Sequence, residues 1–237
     1  MKKIIHPAKE RGHQDHGWLK ANHSFSFANF FDPQKIQFGA LRVLNDDHIA
    51  AGMGFGTHPH DNMEIITLPL EGDLAHKDSM GHGAIIQEGD VQVISAGTGI
   101  CHSEVNPNKY QHVALLQIWI FPSQKDVTPR YQQMSIRDLK KDNEFYQILS
   151  PNAEDAGVWI HQNSWMHFGD FSTSKTLEYT LKDPSNGVYA FQIEGKGILA
   201  GEPLHKRDAI GIMETSSFQY EAEANSRILL IEVPLNY

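Results

Sequence analysis

Apolar residues along the chain fall in short runs, which glycine, asparagine and aspartate interrupt about every ten residues. Within the runs apolar and polar positions often alternate, as expected for strands that bury one face. Clear examples are FGALRVL, HIAAGMGFG, EIITLPL, VQVISAG and ALLQIWIF. Only residues 135–143 (SIRDLKKDN) favour a short helix. The pattern therefore predicts an all-β protein built from sandwiches or barrels.

The character of the sequence changes over residues 122–157, where polar segments carry Pro122, Pro129 and Pro151. Because proline removes a backbone donor, this composition predicts a connector. Strand-like sequence then resumes towards the C-terminus. We therefore expect two tandem antiparallel β-barrels of the jelly-roll type with few short helices. The predicted domains are residues 1–130 and residues 131–237.

A weak internal repeat supports two similar domains. The segment LEGD of the first half is similar to IEGKG of the second, and EGDVQVI is similar to KRDAIGI. In this alignment the positions of His58, His60 and Glu64 correspond to Leu181, Asp183 and Gly187. A ligand that the first half binds through these side chains has no matching site in the second half. The C-terminal domain is predicted to be structural or to form a wall of the site.

Charge and cysteine content restrict the class of protein. The chain has 29 acidic and 20 basic residues and a net charge of -9, which disfavours binding to nucleic acid or anionic membranes. The single cysteine, Cys101, excludes an intrachain disulfide. No apolar stretch reaches the roughly 18 residues that a membrane span needs. We expect a cytoplasmic protein without direct nucleic-acid or membrane binding.

Two segments, GTHPHDNME (56–64) and CHSE (101–104), combine histidine with glutamate at a spacing of two. Side chains two apart on a strand share a face, so His58 and His60 project together, as do His102 and Glu104. Two neighbouring strands of this kind would hold a divalent metal through three nitrogens and one carboxylate. Glu64 has the same parity as the first pair, so parity leaves Glu64 and Glu104 as alternative ligands.

Neighbouring residues lead to three further predictions. Gly52, Gly54 and Gly56 share the parity of the histidines and would leave space for a substrate beside the metal. Pro59 is compatible only with an edge or irregular strand. Cys101 has the opposite parity to the ligand beside it and is expected to point away from the metal.

These segments resemble the two cupin motifs. The first motif is matched by Gly52, His58, His60, Glu64 and Gly72, and the second by Gly89, Gly97, His102 and Asn106. Ser95 replaces the usual proline of the second motif, and the gap before His102 is longer. Both departures resemble the pirin family, as do RGHQDHGWL, HSFSFANFFDP and AGTGICHSE. The resemblance is close over residues 9–133 and is strongest to bacterial pirin-like quercetin 2,3-dioxygenases.

The resemblance implies a bicupin with a metal in the N-terminal domain alone. It implies iron bound by His58, His60, His102 and Glu104, although Zn, Mn, Co, Ni or Cu would also suit these ligands. It places Glu64 near the metal without binding it, where it would orient a ligand histidine.

The resemblance also implies dioxygenase chemistry on a flavonol such as quercetin, with O2 consumed and carbon monoxide released. The metal would bind the substrate's 3-hydroxyl oxygen, and Glu104 would accept the proton. Gln117 and Trp119 share a strand face and are expected to line the substrate pocket, with core packing as the alternative. The alternative function is a metal-binding regulatory protein that acts through a protein partner without turnover.

Overall fold

The computed structural model describes residues 1–236, and over this range strands and loops account for nearly all of the chain. The first twelve strands are β1 (Lys2–His6), β2 (Gly12–Asp15), β3 (Leu19–His23), β4 (Leu41–Ile49), β5 (Gly54–His60), β6 (Glu64–Glu71), β7 (Leu74–Asp78), β8 (Gly83–Ile86), β9 (Asp90–Ser95), β10 (Ile100–Val105), β11 (Val113–Ile120) and β12 (Arg130–Ser135). The remainder are β13 (Phe145–Ser150), β14 (Val158–Trp159), β15 (Trp165–Phe171), β16 (Lys175–Thr180), β17 (Asn186–Glu194), β18 (Gly197–Leu199), β19 (Glu202–Leu204), β20 (Ala209–Met213), β21 (Ser217–Ala222) and β22 (Ser226–Pro234). Two 3-10 turns, Ala8–Glu10 and Arg137–Leu139, complete the elements, and the second is all that forms of the short helix expected over residues 135–143.

The strands form two pairs of sheets. One pair has the orders β12-β9-β6-β11-β4-β3-β2 and β5-β10-β7-β8, and the other has β1-β20-β17-β22-β15-β13-β14 and β16-β21-β18-β19. Each pair is a flattened jelly roll with one seven-stranded and one four-stranded sheet. Among the named strands of residues 1–236, the pairing is antiparallel except between β13 and β14. The predicted all-β architecture of two tandem jelly rolls is confirmed.

The two jelly rolls exchange an edge strand. Strand β1 comes from the start of the chain but pairs with β20 of the C-terminal sheet, with Ile4 opposite Gly211. Strand β12 takes the equivalent place in the N-terminal sheet by pairing with β9. Because β1 crosses to the other sandwich, the two halves are joined by strand pairing as well as by the connector. The predicted boundary after residue 130 falls inside β12 and stays a prediction.

The largest apolar cluster lies between the two seven-stranded sheets. It joins Leu44 and Ile118 of the N-terminal half to Phe168, Tyr189 and Leu229 of the C-terminal half. A buried ion pair crosses the same interface: Asp46 accepts from Arg11 at 3.2 Å and lies 3.3 Å from Arg207. The two domains therefore share one continuous core.

The interiors of the two sandwiches differ. A single cluster that includes Phe171, Tyr179, Phe218 and Tyr220 fills the C-terminal one. The N-terminal interior has two smaller clusters, one around Leu115 and one around residues 65 and 94. A row of polar residues separates these clusters, and the candidate site lies there. No helix within residues 1–236 has the length and apolar character that crossing a bilayer requires.

Candidate metal centre and its cavity

Strand register brings three histidines together. Strands β5 and β10 are antiparallel neighbours, and their register sets His102 opposite His58 and Ile100 opposite His60. The ring centroids are 4.4 Å apart for His58–His102, 4.8 Å for His58–His60 and 4.9 Å for His60–His102. One ligating nitrogen from each ring lies within 4.8 Å of the other two. Strand β5 is an edge strand, which accommodates Pro59 as predicted.

The hydrogen bonding of these histidines suits a metal. His58 Nδ1 lies 2.8 Å from the carbonyl oxygen of Gly56, so this nitrogen donates and leaves Nε2 with a free lone pair. Neither ring nitrogen of the buried His102 has a hydrogen-bond partner among residues 1–236. Burial, helped by the neighbouring histidines, lowers the pKa of His102 to about 3 and that of His60 to about 4. Neutral imidazoles with unpaired nitrogens are the ligands that a transition metal requires.

Glu104 lies beside the histidines in the same cavity. The register shift opposite His102 and Glu104 puts the extra residue in β5, whereas β10 is in regular register with β7, so His102 and Glu104 project from the same face. Gln117 Nε2 donates to both carboxylate oxygens at 3.1 Å, and Thr67 Oγ1 donates at 3.4 Å. Burial raises the pKa of Glu104, which the amide of Gln117 and nearby His58 oppose. The carboxylate is outside the group of three nitrogens, and its role as the fourth ligand stays a prediction.

Glu64 lies at the domain interface. The hydroxyl of Ser95 donates to its carboxylate at 2.7 Å, and the backbone N–H of His161 donates from the C-terminal domain. Arg130 is its nearest cationic neighbour. Burial raises the pKa of Glu64 to about 7. Glu64 does not line the cavity, and its predicted effect on a ligand histidine stays a prediction.

A cavity of about 480 Å³ opens beside the three histidines. Gln117 and Trp119 both line it, whereas their contact with a substrate stays a prediction. Trp119 packs edge-on against Phe27 at 5.4 Å, and Phe55 extends the aromatic wall. A cavity of this size and lining accommodates a small aromatic molecule. All lining residues lie within residues 14–119, so the C-terminal domain contributes no wall.

The three glycines expected to make room for a substrate have different roles. Gly56 lines the cavity. A side chain at Gly54 would meet the backbone oxygen of Glu104 at 2.2 Å, so Gly54 permits the close approach of β5 and β10. Gly52 has φ +70° in the turn before β5. The parity of positions in the sequence did not distinguish Gly56, which lines the cavity, from Gly54, which lets two strands approach closely.

The seven-stranded sheet carries a polar row of which sequence reasoning found Gln117 and missed the other members. Its members, His23, Asn45, Gln117 and Thr67, are direct cross-strand neighbours. All four are buried, and Asp47 lies two residues after Asn45 on the same face. The available signal was the run NDD in an otherwise apolar strand, which resembles a turn when read alone.

His76 on β7 is a further buried histidine close to the cluster. Its ring lies 5.5 Å from that of His102 and stacks on Tyr131 at 5.0 Å. Asp78 lies 3.2 Å from its Nε2 and 3.0 Å from Nδ1 of His82. Because β7 pairs with β10 and His76 is opposite Glu104, these contacts lie beside β10 in the four-stranded sheet.

Fold and site together define a bicupin with a histidine cluster in its N-terminal domain. The sequence model of the pirin family matches residues 5–120, and that of the quercetinase C-terminal cupin domain matches residues 147–233. A protein of Escherichia coli (strain K12) named quercetin 2,3-dioxygenase is 39% identical over 230 residues, which are 97% of this chain and 98% of the relative. A pirin-like protein of Caulobacter vibrioides is 34% identical over 227 residues, 95% and 97% of the two chains. The chain belongs to the pirin family.

Solved structures agree with this assignment. The crystal structure of the bacterial pirin YhhW from Escherichia coli in complex with nickel(II) has a TM-score of 0.92 and 37% identity, and the match covers 98% of this chain and 99% of that one. The three histidines of this chain can likewise hold a metal ion.

Proposed function

We propose that this protein is a metal-dependent dioxygenase that cleaves a flavonol such as quercetin with O2 and releases carbon monoxide. The observation that carries the proposal is the cluster of three histidines at the wall of an aromatic cavity. The name of the relative from Escherichia coli supports the same substrate class.

The proposed ligands are His58, His60 and His102, with Glu104 as the fourth. Iron is the proposed metal, and Zn, Mn, Co, Ni or Cu also suit a site of three imidazoles and one carboxylate. When bound, the metal supplies Lewis acidity that lowers the pKa of a coordinated enol hydroxyl.

Glu104 is proposed to receive the proton of the substrate hydroxyl. Its carboxylate faces the cavity and is held from behind by Gln117 and Thr67, which restrict its rotation. A carboxylate within hydrogen-bond reach of the hydroxyl is what general-base catalysis needs.

The aromatic wall is proposed to orient the planar substrate and to exclude water. Trp119 lies 5.0 Å from the ring of His60, so a substrate packed on it is held beside the ligands. The indole N–H of Trp119 is buried without a hydrogen-bond partner among residues 1–236 and is free to donate to a substrate oxygen.

The test is turnover by protein loaded with iron under anaerobic conditions. On addition of O2 and quercetin, we expect loss of the near-ultraviolet and visible band of quercetin, together with O2 uptake and carbon monoxide release. His102→Ala should abolish these changes, whereas His205→Ala, at an exposed position of the C-terminal domain, should not. If the loaded wild-type protein shows no turnover above free iron, the proposed function is wrong.

A further inference from the structure

The cavity contains a buried carboxyl group that the proposed mechanism does not use. Asp47 on β4 is 5% exposed and lines the cavity. Its Oδ1 has no hydrogen-bond partner within residues 1–236. Buried polar atoms are nearly always hydrogen-bonded, so an unpartnered one beside a cavity is available to a molecule that enters the cavity. Burial, with Asp46 and Glu104 nearby, raises the pKa of Asp47 to about 8, so its uncharged form can donate as well as accept.

A second unpartnered atom lies on the neighbouring strand. His23 on β3 is 2% exposed and also lines the cavity. Its Nδ1 lies 2.8 Å from Asn45 Oδ1 and donates to it, which leaves Nε2 as an acceptor. This Nε2 is buried and has no partner in the described part of the chain.

Strand register places these two groups near each other. His23 is directly opposite Asn45, so Asp47 is its diagonal neighbour, about 7–8 Å away between Cα atoms. Ala21 is opposite Asp47, and its small side chain leaves the carboxyl group open to the cavity.

The two groups and the metal ligands belong to opposite walls. The histidine cluster comes from the four-stranded sheet, whereas Asp47 and His23 come from the seven-stranded sheet. Glu104 bridges the walls, because its carboxylate on β10 reaches Gln117 on β11. A ligand between the sheets would therefore contact the metal on one side and a polar pair on the other.

We propose that Asp47 and His23 bind hydroxyl groups of the substrate other than the one that binds the metal. His23 Nε2 accepts a hydrogen bond from one phenolic hydroxyl, and the Asp47 carboxyl group bonds a second. The substrate class is then a polyhydroxylated aromatic enol, and an enol without the additional hydroxyls is discriminated against. This inference rests on the proposed function.

The test compares two ligands that share the metal-binding oxygens. Quercetin carries several further hydroxyls, whereas 3-hydroxyflavone has only the one beside the carbonyl. Binding of each to the nickel-loaded protein is measured anaerobically by fluorescence quenching, so that no turnover is needed. We expect the wild-type protein to bind quercetin at least about tenfold more tightly, because 3-hydroxyflavone leaves the polar pair without partners.

Variants of Asp47 and His23 test whether these two residues cause the preference for quercetin. Asp47→Leu and His23→Phe should weaken quercetin binding about tenfold and change 3-hydroxyflavone binding less than about twofold. Asp47→Asn keeps the size of the side chain and a hydrogen-bonding group, and should restore most of the preference. Asp138→Leu, at an exposed position outside the cavity, is the matched control. Nickel content and thermal unfolding of each variant report on the metal site and the fold.

The outcomes separate the two proposals. If the wild-type protein binds both ligands equally, or Asp47→Leu and His23→Phe keep the wild-type ratio, the inference is wrong even when quercetin is turned over. If quercetin preference is lost in the variants but iron-loaded protein shows no turnover, the polar pair is supported and the dioxygenase activity is not. If neither ligand binds, both proposals fail.

Discussion

The two jelly rolls share a strand order but differ in what their inward-facing positions carry. In the N-terminal domain, β5 and β10 present His58, His60 and His102. Strands β16 and β21 hold the same places in the C-terminal domain, and their register sets Tyr179 opposite Phe218. The same framework therefore encloses an open cavity with a histidine cluster in one half and a packed aromatic core in the other.

The tyrosines in the core of the C-terminal domain have both packing and hydrogen-bond partners. Tyr179 stacks on Phe218 at 5.4 Å and donates its hydroxyl to Glu232 at 2.9 Å. Tyr220 donates to Gln192 at 2.9 Å. Both tyrosine hydroxyls of this core therefore have buried acceptors. Among residues 1–236, the N-terminal interior leaves polar atoms of Asp47, His23 and His102 without hydrogen-bond partners at the cavity.

The largest expected effect is loss of the metal from the N-terminal domain. Glu104→Gln should reduce occupancy after dialysis from about one metal per chain to near zero, because a neutral amide is a poor ligand for a divalent ion. Glu64→Gln should keep the metal, since the carboxylate of Glu64 faces Ser95 and the other domain. Elemental analysis measures both. If Glu104→Gln retained the metal while Glu64→Gln lost it, Glu64 and not Glu104 would be the fourth metal ligand.

A smaller effect is expected on the free energy of unfolding. Phe218→Ala should lower it by about 3–5 kcal/mol, because the residue is buried in a filled core and leaves a cavity. Phe27→Ala, at the wall of a cavity that already exists, should cost less than about 2 kcal/mol. Denaturant unfolding of the metal-free proteins measures both. Equal losses would contradict the difference between a packed and an open interior.

The smallest expected effect is a change in how the free energy of unfolding depends on pH, caused by Glu64 at the contact between the domains. Glu64 has a folded pKa of about 7 against an ordinary value of 4.5. The folded protein therefore binds more protons between these values, and this carboxyl lowers the stability as pH rises from about 4.5 to about 7. Glu64→Gln should remove this contribution and be more stable than wild type above pH 7 by on the order of 1–3 kcal/mol.

The difference between the two proteins isolates this residue, because other titrating groups are common to both. Glu71→Gln, at an exposed position on the same strand, is the control. Unfolding of the metal-free proteins by denaturant from pH 5 to pH 8 gives the curves. Parallel curves for wild type and Glu64→Gln would contradict the raised pKa.

The alignment of the two halves shows the limit of sequence offsets. Offsets from Gly195 assigned the counterparts of the ligands to Leu181, Asp183 and Gly187, but the strand that corresponds to β5 is Lys175–Thr180. The loop before β17 spans residues 181–185, whereas the loop before β6 spans only residues 61–63. The conclusion that the second half has no histidine set is unaffected.

Local features of the chain were sufficient to predict the all-β class, the two-domain organisation and the shared strand face of His58 and His60. The reason is that side-chain direction along a strand depends only on its period of two, which can be read from neighbouring residues. His58 and His60 share a face in any strand that contains them. Resemblance to pirins then selected Glu104 over Glu64, which parity could not do.

Tertiary structure alone determined which strands face each other. The register of β5 against β10 sets His58 beside His102, and Gly54 makes that approach possible. The placement of β1 in the other domain and the wall formed by Asp47 and His23 depend on pairings between distant segments. Such pairings follow from packing of the whole chain, because one strand carries no information about its neighbour's register.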